Sequence, residues 1–208
     1  MRECAEFEPS NRAEWRRWLR VNGRRVDGVW LVYQKGAARP LTYAAAVEEA
    51  LCFGWIDTVI RPIDSRRYKQ LFTPRKPKST WSALNKRRVE RLIAAKQMTK
   101  AGLAKIGAAK RDGSWASLDL VEAMVVPDDL ARAFARNRKA RAFFDGLSPS
   151  SRKGILHWVN AVKTAGKRAE RIAHVVAQGA RGLRPAHHEA WLAKARARAG
   201  TSGKPRQR

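Results

Sequence analysis

Apolar residues recur at two different periods along this chain, and the change of period divides it. Behind Asn11, with Glu14 three residues on as in a capping box, Trp15, Trp18 and Leu19 fall at helical spacing. A helix is predicted over about Asn11–Asn22, stopped by Gly23. Val29-Trp30-Leu31-Val32-Tyr33 is β-branched and aromatic and reads as a buried strand. Thr42 can cap a second helix whose inward stripe is Ala46, Val47, Ala50 and Leu51, ended by Gly54. Trp55–Ile60 and Arg67–Phe72 read as strands around a Pro62-Ile63-Asp64-Ser65 turn. Alternation sets Tyr68, Gln70 and Phe72 on one face, with Lys69 and Leu71 on the other.

Pro74 and Pro77 then interrupt regular structure, and Ser79 or Thr80 is predicted to open a helix running to about Lys96. Trp81, Leu84, Val89, Leu92 and Ile93 define its apolar arc. Asn85 and Arg88 fall inside that arc and need hydrogen-bond partners, because a buried polar group without one is costly. The partners expected are the preceding turn or Asp57, or else the groups of a ligand. Thr99 caps a further helix through Leu103 and Ile106 to Asp112-Gly113. Beyond Ala116 the period is helical throughout. Leu130 and Phe134; Phe143 and Phe144; Ile155, Trp158, Val159 and Val162; and Ile172, Val175 and Val176 mark successive amphipathic helices. Asp128 and Asp129 stand in a first turn, where the helix dipole favours them.

The expected fold is therefore α+β. Residues 1–116 carry a small three-stranded sheet with covering helices, 117–182 an all-helical region, and 183–208 a basic tail, largely disordered, with a short helix around Trp191.

Charge changes this picture more than composition does. The chain has 208 residues and a net charge of +26. Residues 1–60 hold 9 Lys/Arg against 8 Asp/Glu, whereas the remainder holds 35 against 10. Such a field attracts polyanions and repels cations. No apolar run approaches the ~20 residues that cross a bilayer. The acidic N-terminus lacks an apolar secretory core, and Cys4 and Cys52 are too few for a disulfide framework, so a cytoplasmic setting is expected.

The search for chemistry turns up little. No P-loop, GxGxxG, HExxH or paired CxxC occurs, and the four histidines, His157, His174, His187 and His188, do not make a zinc pattern. Cys52 reads as a small buried hydrophobe and Asp64 as a turn residue; Asp57 and Asp64 could form an acid/base pair, but no histidine or metal pattern supports it. No catalytic residue, metal or cofactor is assigned. The candidate binding residues are Trp55, Asp57, Tyr68, Arg75, Ser79, Trp81, Asn85 and Arg88. A second pattern, Arg61, Arg66, Arg67, Lys69, Lys76, Lys78 and Arg87 interleaved with Tyr68, Phe72 and Trp81, has the basic–aromatic character of single-stranded nucleic-acid sites.

Ala50-Leu51-Cys52-Phe53-Gly54-Trp55-Ile56-Asp57, Phe72-Thr73-Pro74-Arg75, Ser79-Thr80-Trp81-Ser82 and Asn85 resemble the YdeI/OmpD-associated (bacteriocin-protection) family. Met98-Thr99-Lys100-Ala101-Gly102, Ala109-Lys110 through Asp112-Gly113-Ser114-Trp115, Trp158-Val159 and Arg171-Ile172 extend the likeness over about residues 10–182. Many relatives carry Glu-Thr-Arg before the final helix. Here that place is Ala165-Gly166-Lys167, leaving Lys167 or Arg168 to stand in for the arginine. The resemblance implies a non-enzymatic binding protein connected to envelope or antimicrobial-peptide stress, with an unidentified ligand or protein partner. Nucleic-acid binding through the 61–91 patch is the alternative, and an enzyme acting on an anionic small molecule the third reading. A surface of this charge would repel cationic peptides, which argues against their direct sequestration.

Overall fold

The computed structural model describes residues 4–36, 41–162 and 164–185. These fall into two compact units, divided between Ser117 and Leu118. Most of the tail read as 183–208, including Trp191, His187 and His188, lies outside the described residues.

The first unit is built on a four-stranded mixed sheet ordered β1-β2-β4-β3, from β1 (Glu6–Phe7), β2 (Val29–Gln34), β3 (Trp55–Pro62) and β4 (Arg67–Pro74). The three strands read from the pattern are present; β1, parallel to β2, is the addition. Two residues are too short to carry a period, so β1 left no trace in the sequence. β2 and β4 pair antiparallel with Val29 opposite Phe72, Leu31 opposite Gln70 and Tyr33 opposite Tyr68. This register puts the buried set of both strands on one face. β3 pairs with β4 through an irregularity between Asp57 and Ile60.

Two helices supply most of that face's cover. Helix α1 (Arg12–Asn22) starts where Asn11 accepts from the Glu14 amide, and it buries Trp15 and Leu19. Helix α2 (Tyr43–Cys52) is capped by Thr42 and buries Ala46, Val47, Ala50 and Leu51; Gly54, at φ +77°, turns the chain into β3. Trp15 meets Phe72 edge-on at 5.5 Å. Both indole N–H groups of Trp15 and Trp55 donate to carbonyls, of Ala46 and Gly23 at 3.1 Å each, so the rings are buried without an orphaned donor. Glu49, only 3 % exposed, is held by Arg12 and Arg16 of α1 at 2.6 Å each.

Helices α3 (Ala83–Ala94) and α4 (Lys100–Arg111) complete this unit. The α3 start is a correction. Ser82 is the N-cap, accepting from Asn85 N, and Ser79 to Trp81 precede the helix. Consequently the expected apolar arc narrows to Val89 and Leu92, with Leu84 and Ile93 exposed.

The second unit is all helical among its described residues: α5 (Asp119–Glu122), α6 (Asp128–Ala135), α7 (Arg138–Asp145), α8 (Pro149–Asn160) and α9 (Ala165–Ala180). Leu130, Phe134, Phe144, Leu156, Val159 and Val175 are core. Arg168, not Lys167, makes the contacts next to the altered triplet. Its Nε and Nη2 grip Asp129 at 2.5 and 3.0 Å, and Nη1 donates to the Val159 carbonyl at 3.1 Å.

Candidate functional site

Strand β4 ends at Pro74, and its next residue points inward. Arg75 N donates to Gly54 O at 2.9 Å, fixing the strand end against the α2–β3 turn. Its guanidinium lies 3.5 Å above the Trp81 ring, and Nη1 donates to Thr80 O at 3.1 Å. Trp81 is held in turn against Trp115, with ring centres 5.0 Å apart. Arg75 is 3 % exposed, its Nε has no acceptor, and among the described residues it makes no ion pair. Burial pulls its pKa down to about 10, with only the field of Asp57 acting the other way.

Between Arg75 and Trp81 the chain makes a tight turn. Ser79 N and Oγ both donate to Lys76 O, at 3.3 and 2.7 Å. Lys78 sits at φ +60°, a left-handed conformation uncommon outside glycine and asparagine. Asp112, at the end of α4, accepts from Lys78 N at 3.2 Å and from Ser114 N at 2.9 Å. The nearby Ser114 side chain and amide, with Lys78, hold the Asp112 carboxyl below its ordinary pKa. The Ser114 hydroxyl is buried and completes no well-formed hydrogen bond. Together Arg75, Lys76, Lys78, Ser79, Trp81, Lys105, Asp112 and Ser114 line a cavity of about 70 Å³.

The remaining sequence candidates fall elsewhere. Asp57 accepts from Tyr43 Oη at 3.0 Å and from Gln70 Nε2 at 2.8 Å. Burial, then Asp57, pushes the Tyr43 hydroxyl up to about 12. Tyr68 stacks on Tyr33 at 4.9 Å beside this cluster, where Tyr33 Oη and Gln70 Oε1 are buried without partners. Arg88 Nη1 donates to Asn85 Oδ1 at 2.9 Å, and neither residue bonds Asp57. Asp57 and Arg75 form no ion pair. Trp55, 1 % exposed, belongs to the core. Arg75, Ser79 and Trp81 are therefore the candidates that share a cavity. Lys105, Asp112 and Ser114 join them from a stretch not weighed as a site; the signal was the Asp112-Gly113-Ser114-Trp115 motif.

The basic–aromatic patch is also redistributed. Tyr68, Phe72 and Trp81 are 5 %, 0 % and 1 % exposed, so none offers a ring face to a base. Arg61 and Lys69 instead flank Trp30, 5.0 and 5.1 Å from its ring, on the opposite sheet face. Lys69 pairs with Glu6 and Arg67 with Asp64. Arg66 and Arg87 are exposed, and Lys76 and Lys78 belong to the cavity. Asp64 serves its turn, accepting from the Arg66 and Arg67 amides. No group of three or more His, Cys, Asp or Glu among the described residues is placed to hold a metal.

Residues 123–182 match the family model described as Bacteriocin-protection, YdeI or OmpD-Associated. Residues 7–105 match a second model, described as Domain of unknown function (DUF8412). The first match lies within the second unit, whereas the Trp55–Asp57, Arg75 and Trp81 motifs lie in the stretch matched by the other model. Comparison with curated proteins and with solved structures returned no match.

Proposed function

We propose that this chain, with a YdeI/OmpD-associated bacteriocin-protection stretch at residues 123–182, is a non-enzymatic binding protein that holds a small anion on its first unit. One observation carries the reading: among the described residues Arg75 is a buried cation with no ion-pair partner and an unpartnered Nε, and it lines a cavity with three lysines. The Trp81 ring and the Thr80 carbonyl offset only part of the cost of burying that charge, which an anion in the cavity would meet more fully. A cytoplasmic location and a part in envelope or antimicrobial-peptide stress belong to the same proposal. The part in antimicrobial-peptide stress rests on the family match, and among the described residues no helix is long and apolar enough to cross a membrane. The chain's charge of +26 turns the proposed role toward anionic ligands and away from cationic peptides.

The test is a thermal melt of the full chain with added chloride, acetate, sulfate or phosphate at constant ionic strength. Ligand that binds only the folded state raises Tm with concentration. At least one oxyanion is expected to do so, and Arg75→Met to abolish the rise. Equal melting curves in all four salts would remove the proposal.

A second reading has its own observation, Trp30 between Arg61 and Lys69 on the sheet face away from α1 and α2. An aromatic flanked by cations suits a stacked base beside its phosphate. Fluorescence anisotropy with a labelled single-stranded oligonucleotide tests it. Trp30→Ala should weaken binding by about 1–3 kcal/mol at fixed salt, and an unchanged affinity would leave only nonspecific attraction.

A further inference from the structure

Size, charge and rigidity at the Arg75 cavity narrow the ligand beyond "an anion". Resting on the binding reading above, we infer that the cavity is a subsite for a phosphomonoester dianion, with the organic part of the ligand outside.

At about 70 Å³ the cavity has room for a few waters only. Whole small-molecule ligands take pockets of about 300–1,000 Å³, so only a head group enters here. Four cations line it, Arg75, Lys76, Lys78 and Lys105, against the single carboxylate of Asp112. That carboxylate is already occupied by the amides of Lys78 and Ser114. The surplus of three positive charges favours a dianion over a monoanion. A phosphodiester brings one charge and two ester arms, which is less charge and more bulk than the site is shaped for.

The donors also come to the cavity from separate stretches of the chain. Arg75 comes from the end of β4, Lys76 and Lys78 from the turn after it, Lys105 from α4 and Ser114 from beyond α4. A planar carboxylate would be served by the Arg75 fork alone; the further donors suit the three terminal oxygens of phosphate. Trp81 stacking and the Thr80 carbonyl immobilise that fork in advance. Strain points the same way. Lys78 is held at φ +60° while its amide serves Asp112, and such conformations concentrate at ligand clamps.

Isothermal titration calorimetry on the full chain with methyl phosphate, inorganic phosphate, dimethyl phosphate and acetate, at ~0.1 M salt, tests the inference. Methyl phosphate is expected to bind at least as tightly as inorganic phosphate and about tenfold or more tighter than the two monoanions. Its affinity should fall as pH drops through ~6, where the phosphate loses its second charge. Arg75 stays protonated over that range, its pKa being about 10. Arg75→Met and Lys105→Ala should each weaken methyl phosphate by about tenfold or more, with unchanged circular dichroism. Lys105 is only half-buried, so its variant keeps the test valid if Arg75→Met fails to fold.

The outcomes separate. If no anion binds, the binding reading and this inference both fall. If acetate or dimethyl phosphate binds as tightly as methyl phosphate, anion binding stands and the monoester class is overturned. Binding of inorganic phosphate alone overturns the ester in favour of the free ion. Binding untouched in both variants moves the site away from the cavity. Release of phosphate from an ester during the titration would overturn the non-enzymatic reading.

Discussion

The energetics of the buried Arg75 have a direction that can be measured. Burial lowers its pKa to about 10, well below the ordinary arginine value, so the folded chain holds this proton less tightly than the unfolded chain does. Between those values stability contributed by this group rises with pH, and below about 10 the charged form is a standing penalty. Arg75→Met keeps an apolar side chain against Trp81 and removes the buried charge. The variant is expected to melt at or above the parent temperature without ligand, while losing anion binding. A structural arginine would instead show a lowered Tm with anion affinity intact. Asp129 illustrates the opposite sign. The hydrogen bond from Arg168 holds its carboxyl below the ordinary value. Its contribution is complete above the usual carboxylate range and is lost as pH falls through the lower folded pKa. Arg168→Met should cost about 1 kcal/mol in a urea melt at neutral pH, a modest figure for a half-exposed pair. That difference should shrink toward zero in strongly acidic buffer.

At the scale of elements, α4 is tied to the first unit through the end of α2. Thr99 donates to Cys52 O from both N and Oγ1, at 3.1 and 2.7 Å. Gly102, one turn on, lets the helix approach: a Cβ there would stand 2.3 Å from Cys52 O. The neighbour is backbone and cannot turn aside, so Gly102→Ala should destabilise the first unit by about 2 kcal/mol in a chemical melt. It should also weaken phosphate binding, because α4 carries Lys105 and leads into Asp112. The α1–α2 contact rests on Glu49, buried between Arg12 and Arg16. Glu49→Ala removes the carboxylate the two arginines share, leaving Arg12 with Glu48 at 3.2 Å and Arg16 with Gln97 O at 2.8 Å. The expected loss is about 2 kcal/mol, below that of a fully buried pair because Arg12 is 42 % exposed. α3 shows where local pattern misleads. Ser79, Thr80 and Ser82 are all competent caps, and Ser82 is used. Thr80's carbonyl is bonded to Arg75 and Ser79's hydroxyl to the Lys76 carbonyl, so both belong to the cavity turn.

For the whole molecule, charge is the global variable. The basic excess lies after residue 60 and spans both units, so low-salt affinity for nucleic acid or heparin is expected regardless of any specific site. The observation that distinguishes the two is salt. Nonspecific polyanion binding should fall steeply between ~50 and ~200 mM. Methyl phosphate seated beside the buried Arg75 should be screened far less.

The sequence by itself determined the α+β class, three of the four strands and the helical second half. These follow from periods of 2 and 3.6 residues, which local chemistry writes directly into the chain. It also named Arg75, Ser79 and Trp81 among eight binding candidates, within the Phe72–Arg75 and Ser79–Ser82 motifs. Tertiary structure alone decided which candidates meet. Trp55, Tyr68 and Trp81 look alike as ring-bearing contacts, and only packing shows all three buried. Lys105 is unremarkable at its own position, and Ser114 stands out only through the Asp112–Trp115 motif. They line the same cavity as Arg75 because Gly102 lets α4 close on α2, which brings its far end beside the strand that delivers Arg75. Contacts made across thirty or more residues leave no local period, and the one that joins the Arg75–Trp81 turn to the end of α4, Lys78 N to Asp112, is of that kind.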